Sequence, residues 1–254
     1  MRSLVALLLL AAAPVAAQDL TNPFGEATIE EHSGARLPID LPFTTADGRT
    51  TTLRAIAHGR PLLLAPVLHD CPNLCGVTLS GLAQAMSALP AQARGTPVVA
   101  FGIDPRETPA RAAAALQRLG ATAEGRSLAP VALTGTAMNI RQVTDALGYR
   151  YVWDARIGQY AHVAAVAILT PDGRLSGWLY GLAPRPAELA AGLAAARAER
   201  TGSWTDRLLL LCYHYDPATG RYTPAIQTIL RAAAALTVAG LLLLAWRLGR
   251  SVRA

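Results

Sequence analysis

The sequence predicts an α/β sandwich with a central mixed β-sheet, followed by a C-terminal transmembrane helix. Three observations carry this reading. Short continuous apolar runs alternate with helical patterns, a Pro-Asp-Gly turn then joins two more apolar runs, and an uncharged stretch lies near the C-terminus.

Residues 1–17, MRSLVALLLLAAAPVAA, carry one positive charge, Arg2, and an apolar run from Leu4 to Ala13. Val15 and Ala17 are the small residues a signal peptidase reads before Gln18, and the run is short for a bilayer span. Residues 1–17 are therefore expected to be a signal peptide, and the polar residues 18–35 a linker.

The domain expected over 36–200 opens with a hairpin signal, RLPIDLPFTTADGRTTTLRAI, around Asp47-Gly48. RPLLLAPVL (60–68) is a continuous apolar run, the pattern of a strand covered on both faces. Val77–Leu89 has helical apolar spacing. TPVVAFGID (96–104) is a second buried strand, and ETPARAAAALQRLG (107–120) an alanine-rich helix ended by Gly120. APVALTG (129–135) is a third strand, and TAMNIRQVTDALG (136–148) a helix ending at Gly148. VWDARIGQYA (152–161) reads as an irregular loop. HVAAVAILTPDGRLSGWLY (162–180) is a strand, a turn and a return strand, and Pro186–Arg200 a closing helix.

Residues 201–225 read as a juxtamembrane segment. From Ala232 to Trp246 there is no charge, and 226–246 is long enough to cross a hydrocarbon core of about 30 Å. Arg247, Arg250 and Arg253 follow without an acidic residue, so the tail 247–254 is expected to be cytoplasmic and the domain to face the other side.

Charge excludes one class of partner. Setting aside Arg2 and the four arginines from 231 onward leaves 18 arginines against 17 acidic residues, with no lysine anywhere. The exported segment is thus nearly neutral and has no basic run interleaved with aromatics, which disfavours nucleic acid.

LHDCPNLCG (68–76) sets Cys71 and Cys75 four apart, where a buried strand meets a helix. Ligand and redox sites favour that edge of an open sheet, and a helix N-terminus favours thiolate. The spacing fits a disulfide, a redox pair or two ligands of a metal site. Structural zinc lacks a full tetrahedral set here, whereas a soft cuprous ion is satisfied by two thiolates and one imidazole. Among the five histidines, His69 is a polar strand end or an occasional ligand. His162 reaches the cysteines if the strand after it lies beside 60–68. Cys212 and His214 share a side of an extended segment with Tyr213, Tyr215 and Tyr222 nearby, which reads as an interfacial stretch.

The order of a C-P-x-x-C loop, Gly102-Ile103-Asp104-Pro105, Leu133-Thr134-Gly135, and His162 ahead of Thr170-Pro171-Asp172-Gly173 resembles the Sco/SenC family. These are thioredoxin-like copper proteins that serve assembly of the CuA centre of cytochrome c oxidase. The resemblance spans about residues 30 to 200 and implies copper ligands at Cys71, Cys75 and His162, with the loop residues Asp70, Pro72, Asn73 and Leu74 shaping the site. It implies a copper chaperone for the oxidase subunit carrying CuA, in the bacterial inner membrane with its domain on the periplasmic side. The alternative is a thiol–disulfide reductase acting on the oxidase's copper cysteines, with Cys71 attacking and Cys75 resolving. The chain departs from many members in having Ala161 and Val163 around the histidine and Gly76 after the second cysteine. Its expected anchor is also at the opposite end.

Overall fold

The computed structural model describes residues 27–71, 75–122, 125–202, 215–216, 221–222, 234–238 and 240–241. In chain order the strands of the domain are β1 (Thr28–Ile29), β2 (Phe43–Thr45), β3 (Thr50–Thr51), β4 (Leu62–Val67), β5 (Val98–Gly102), β6 (Val131–Thr134), β7 (Tyr149–Arg150), β8 (Val152–Asp154), β9 (Gln159–Ala161), β10 (Ala165–Leu169) and β11 (Leu175–Tyr180). The helices are α1 (Leu53–Ala57), α2 (Cys75–Ser87), α3 (Ala91–Arg94), α4 (Pro109–Ala121), α5 (Ala137–Leu147) and α6 (Pro186–Arg197).

The continuous apolar runs become the middle of a seven-stranded sheet ordered β11-β10-β4-β5-β6-β2-β3. β4, β5 and β6 are parallel, while β10, β11, β2 and β3 run antiparallel to their neighbours. The sheet is mixed, as the sequence predicts. Every residue of β4, β5 and β10 is buried, so these strands need no polar alternation. Each large aliphatic side chain removed from water there stabilises the fold by about 1.5–3 kcal/mol.

Threonines start three helices. The hydroxyls of Thr52, Thr108 and Thr136 accept from the backbone N–H of Ala55, Arg111 and Asn139, each contact worth about 1 kcal/mol. α4 runs through Gly120, the residue expected to end it, and closes where the Thr122 N–H meets Leu119 O at 3.0 Å. α5 does end at Gly148, whose φ of 67° places it in the left-handed region that glycine tolerates. A side chain there would put Cβ 1.8 Å from Glu30 O. The close approach lets β1 pair with β7, so Thr28–Ile29, within the stretch expected to be linker, form a strand.

The stretch read as irregular, 152–161, is a β8–β9 hairpin. Its turn is closed by Asp154, which accepts from the Arg156 N–H at 2.9 Å, and by Gly158 at positive φ. Trp153 and Tyr160 face each other across it, edge to face, at 5.3 Å.

One expectation is corrected. A transmembrane helix was predicted over 226–246, yet among the described residues no helix is long and apolar enough to cross a membrane. The described helical residues of that stretch are 234–238 and 240–241, against the roughly 20 that a span requires. The rest of 226–246 lies outside the described residues, as do the expected signal peptide (1–17), Cys212, His214 and the tail 247–254.

Candidate functional site

The site forms where β4 ends and β10 begins. The antiparallel register pairs Ala167 with Leu64, Ile168 with Leu63 and Leu169 with Leu62, so the start of β10 lies beside the carboxyl end of β4. The Leu63 N–H donates to Pro97 O just ahead of β5, and Val67 O accepts from the Ile103 N–H just after it, so the odd residues of β4 bond to the β5 side. The even residues therefore face β10, and Pro66 has no N–H to donate there. The paired register stops at Leu64, two residues before that proline. Beyond it β10's lead-in, with His162, passes the end of β4 without being zipped to it.

Cys71 follows in a turn closed by its own N–H to Leu68 O at 3.2 Å, and its side chain is half-buried against the core. It lines a cavity of about 320 Å³ with Val67, His69, Val77 and Arg118. Cys71 itself is not helical, and the described part of α2 runs from Cys75 to Ser87. The backbone of Cys75 is at the positive end of that helix. A larger cavity of about 620 Å³ between β11 and α6 holds neither cysteine nor His162.

Three contacts fix the loop from below. His69 is buried, with Nε2 3.0 Å from Leu133 O. That carbonyl only accepts, so Nε2 carries the proton. Burial holds the imidazole below its ordinary range, helped by the Arg118 charge and opposed by the Leu133 bond. His69 is thus a neutral strut. Arg118 donates to His69 O at 2.7 Å, tying the loop to α4. Glu107 Oε1 accepts from the Asp70 N–H at 3.0 Å. Its Oε2 is buried with no hydrogen-bond partner among the described residues, and burial pushes the carboxyl up to about 7. Gly102 makes room for both: a Cβ there would lie 2.8 Å from Leu133 O and 3.0 Å from both Glu107 Oε2 and the His69 ring. Glu107 escaped the sequence reading, and only the Gly102-Ile103-Asp104-Pro105 turn ahead of it was a signal.

His162 directly follows β9 and is partly buried. Burial lowers its basicity, while the Val163 carbonyl and the charge of Cys71 act the other way. The two predicted residues, 91 apart in sequence, are thus brought within electrostatic reach of one another. Tyr149 Oη lies 2.9 Å from His162 Nδ1 and 2.7 Å from Val163 O, and its ring stacks on Trp178 at 5.8 Å. The hairpin leading into His162 is braced by Arg106, whose guanidinium sits 4.3 Å from the Trp153 ring centroid and grips Asp104 at 2.6 Å. Among the described residues no three His, Cys, Asp or Glu side chains gather into a metal-holding group. The third predicted donor, the Cys75 thiol, lies outside the described side chains. The donors that are described, a thiol and a neutral imidazole, suit a soft or borderline ion such as copper.

The fold is a thioredoxin-like sandwich with a cysteine loop after a central strand and an imidazole at the same sheet edge. The family model described as SCO1/SenC matches residues 31–197. The chain belongs to the SCO1/SenC family. Solved structures share its fold. A protein of Aquifex aeolicus VF5 described as an electron transfer protein is 20% identical, with a TM-score of 0.57, covering 65% of this chain and 94% of that one. Arabidopsis thaliana ScoI, solved with copper bound, is 17% identical with a TM-score of 0.50, covering 65% and 98%. BsSco, a Sco-family cytochrome c oxidase assembly protein in which a disulfide switch was identified, is 16% identical with a TM-score of 0.50, covering 66% and 97%. No curated protein matches the chain.

Proposed function

We propose that this protein binds copper through Cys71, Cys75 and His162 and serves assembly of the CuA centre of cytochrome c oxidase, with copper as its cargo. The observation that carries the reading is the β10–β4 register, which delivers His162 to the end of the strand that Cys71 follows. Family membership supports it, as does the fold shared with ScoI, which holds copper, and with BsSco, an oxidase assembly protein. A site with few ligands at a loop edge lets a partner's thiolates enter as the donor's leave. The partner is the oxidase subunit carrying CuA. Export directed by residues 1–17 sets the domain on the periplasmic side, where that subunit exposes its copper cysteines.

The test is a copper titration of the reduced full chain beside Cys71→Ser, Cys75→Ser and His162→Ala. The wild type is expected to bind about one copper, with thiolate-to-copper absorption in the Cu(II) form, and each variant to lose that signal. Full binding by His162→Ala would overturn the three-ligand proposal. A wild type that binds no copper yet reduces a disulfide between copper-site cysteines would instead be a thiol–disulfide reductase, with Cys71 attacking and Cys75 resolving.

A further inference from the structure

The hydrogen bonds around Tyr149 have one consistent proton arrangement. Val163 O, 2.7 Å from Tyr149 Oη, accepts only, so the phenol proton points to it. The phenol then has no proton left for His162 Nδ1, 2.9 Å away, and the bond between them requires Nδ1–H to donate to the phenol oxygen. The reverse assignment would set the phenol and carbonyl oxygens 2.7 Å apart with no proton between them. His162 Nδ1 also lies 3.4 Å from Val163 O, again facing an acceptor. Both neighbours of Nδ1 therefore call for a proton on it.

We propose that Tyr149 is a positioning residue that fixes His162 in its Nδ1–H tautomer, so that Nε2 carries the lone pair offered to copper. The proposal rests on the copper-binding reading above. An outer hydrogen bond to the non-ligating nitrogen is the usual way a protein sets which imidazole nitrogen meets a metal. Here the partner is a phenol, and the phenol is itself immobilised. Tyr149 is 2% exposed, its ring lies against Trp178, and its backbone is locked into the β7–β1 pair. The same hydroxyl ties the ring of His162 to the carbonyl of the next residue, so tautomer and ring orientation are set together. Cys71 lies on a turn of a different element, closed by its own N–H to Leu68 O.

The experiment has two arms on the full chain. In the metal-free, ¹⁵N-histidine-labelled protein, the ring nitrogens of His162 are expected to report Nδ1–H with an unprotonated Nε2. In Tyr149→Phe, which keeps the ring packed on Trp178, the Nδ1–H population is expected to fall, since the 3.4 Å contact to Val163 O is too long to hold the proton alone. In the copper arm, Tyr149→Phe is expected to keep a stoichiometry of one and to lose about 10- to 100-fold in affinity. A wild type with Nε2–H, a variant whose tautomer is unchanged, or a variant with wild-type copper affinity overturns the proposal. A wild type that binds no copper overturns the parent reading, and the metal-free arm distinguishes that failure from this one.

Discussion

Replacing Glu107 by glutamine should stabilise the protein increasingly as the pH rises. The carboxyl is buried beneath the Cys71 turn, with Oε2 unpartnered among the described residues and Asp104 and Asp70 adding negative charge nearby. Burial, partly offset by the Asp70 N–H, lifts it from an ordinary value of 4.5 to about 7. Between those values the folded chain keeps a proton that the unfolded chain has released, so stability declines from about pH 4.5 and the loss is complete above about 7. At ~1.4 kcal/mol per pH unit, the gap amounts to about 3 kcal/mol. Glutamine keeps an oxygen for the Asp70 N–H and carries no charge. For a domain of this size about 3 kcal/mol is a melting-temperature difference of roughly 6–12 °C. Thermal melts followed by circular dichroism from pH 5 to 8.5 measure it. The melting temperature of the variant relative to the wild type should be near its lowest at pH 5 and rise by about that range by pH 8. The slope is what tests the reasoning, because the glutamine NH₂ takes the place of Oε2 without an acceptor and lowers stability equally at every pH. Parallel curves for the two proteins would refute a protonated, buried Glu107.

Two further outcomes follow from the elements that frame His162. Gly148→Ala should destabilise the domain by at least about 1–2 kcal/mol from the left-handed backbone alone; the contact of Cβ with Glu30 O should also break the β1–β7 pair, seen in hydrogen exchange as lost amide protection at Glu30, whose N–H meets Gly148 O at 2.8 Å, and at Arg150. Unchanged protection there would show that the pair does not need glycine. Arg106→Ala removes the cation over Trp153, and amide exchange across β8–β9 should rise about two- to fivefold, with a red shift in Trp153 emission; a hairpin with wild-type exchange would mean that its aromatic pairs hold it unaided.

What the sequence made legible was whatever the local pattern decides. Three buried strands, the helices after them and the hairpin at Pro171-Asp172-Gly173 each follow from a run of apolar residues with a turn or cap at its end. What stayed hidden depends on distant partners. The 152–161 stretch has only three-residue strands, and its order comes from edge-to-face aromatic pairs and from Arg106, 47 residues before Trp153. Glu107 looks like an ordinary first residue of an alanine-rich helix until the fold buries it beneath a turn from another strand. The cysteines were proposed from their spacing. His162 was legible only by resemblance and by supposing that its strand lies beside 60–68, which the register supplies. The C-terminal reading failed for a different reason: apolar length in a sequence is a capacity to form a long helix, and the described helical residues do not amount to one.

The placement of Pro66 connects these levels. A proline in a central strand ordinarily costs a ladder hydrogen bond and argues against the assignment. Here the lost donor falls on the β10 side, at the point where pairing would otherwise continue toward Cys71. Were that position another residue, β10 could extend its pairing with β4 to Ala165 and pull 163–164 toward regular sheet. The chain around His162 would then have to follow the pleat, and Val163 O would be drawn away from Tyr149 Oη, to which it is held at 2.7 Å. The seam left open above Leu64 is therefore what allows His162 to be oriented by Tyr149 instead of by the sheet. One side of the site hangs from a rigid strand end through Cys71, and the other from an aromatic support through His162. On the copper-binding proposal, donors held by two different elements at an unzipped edge would be open to an incoming partner in a way that two residues on one helix turn would not be.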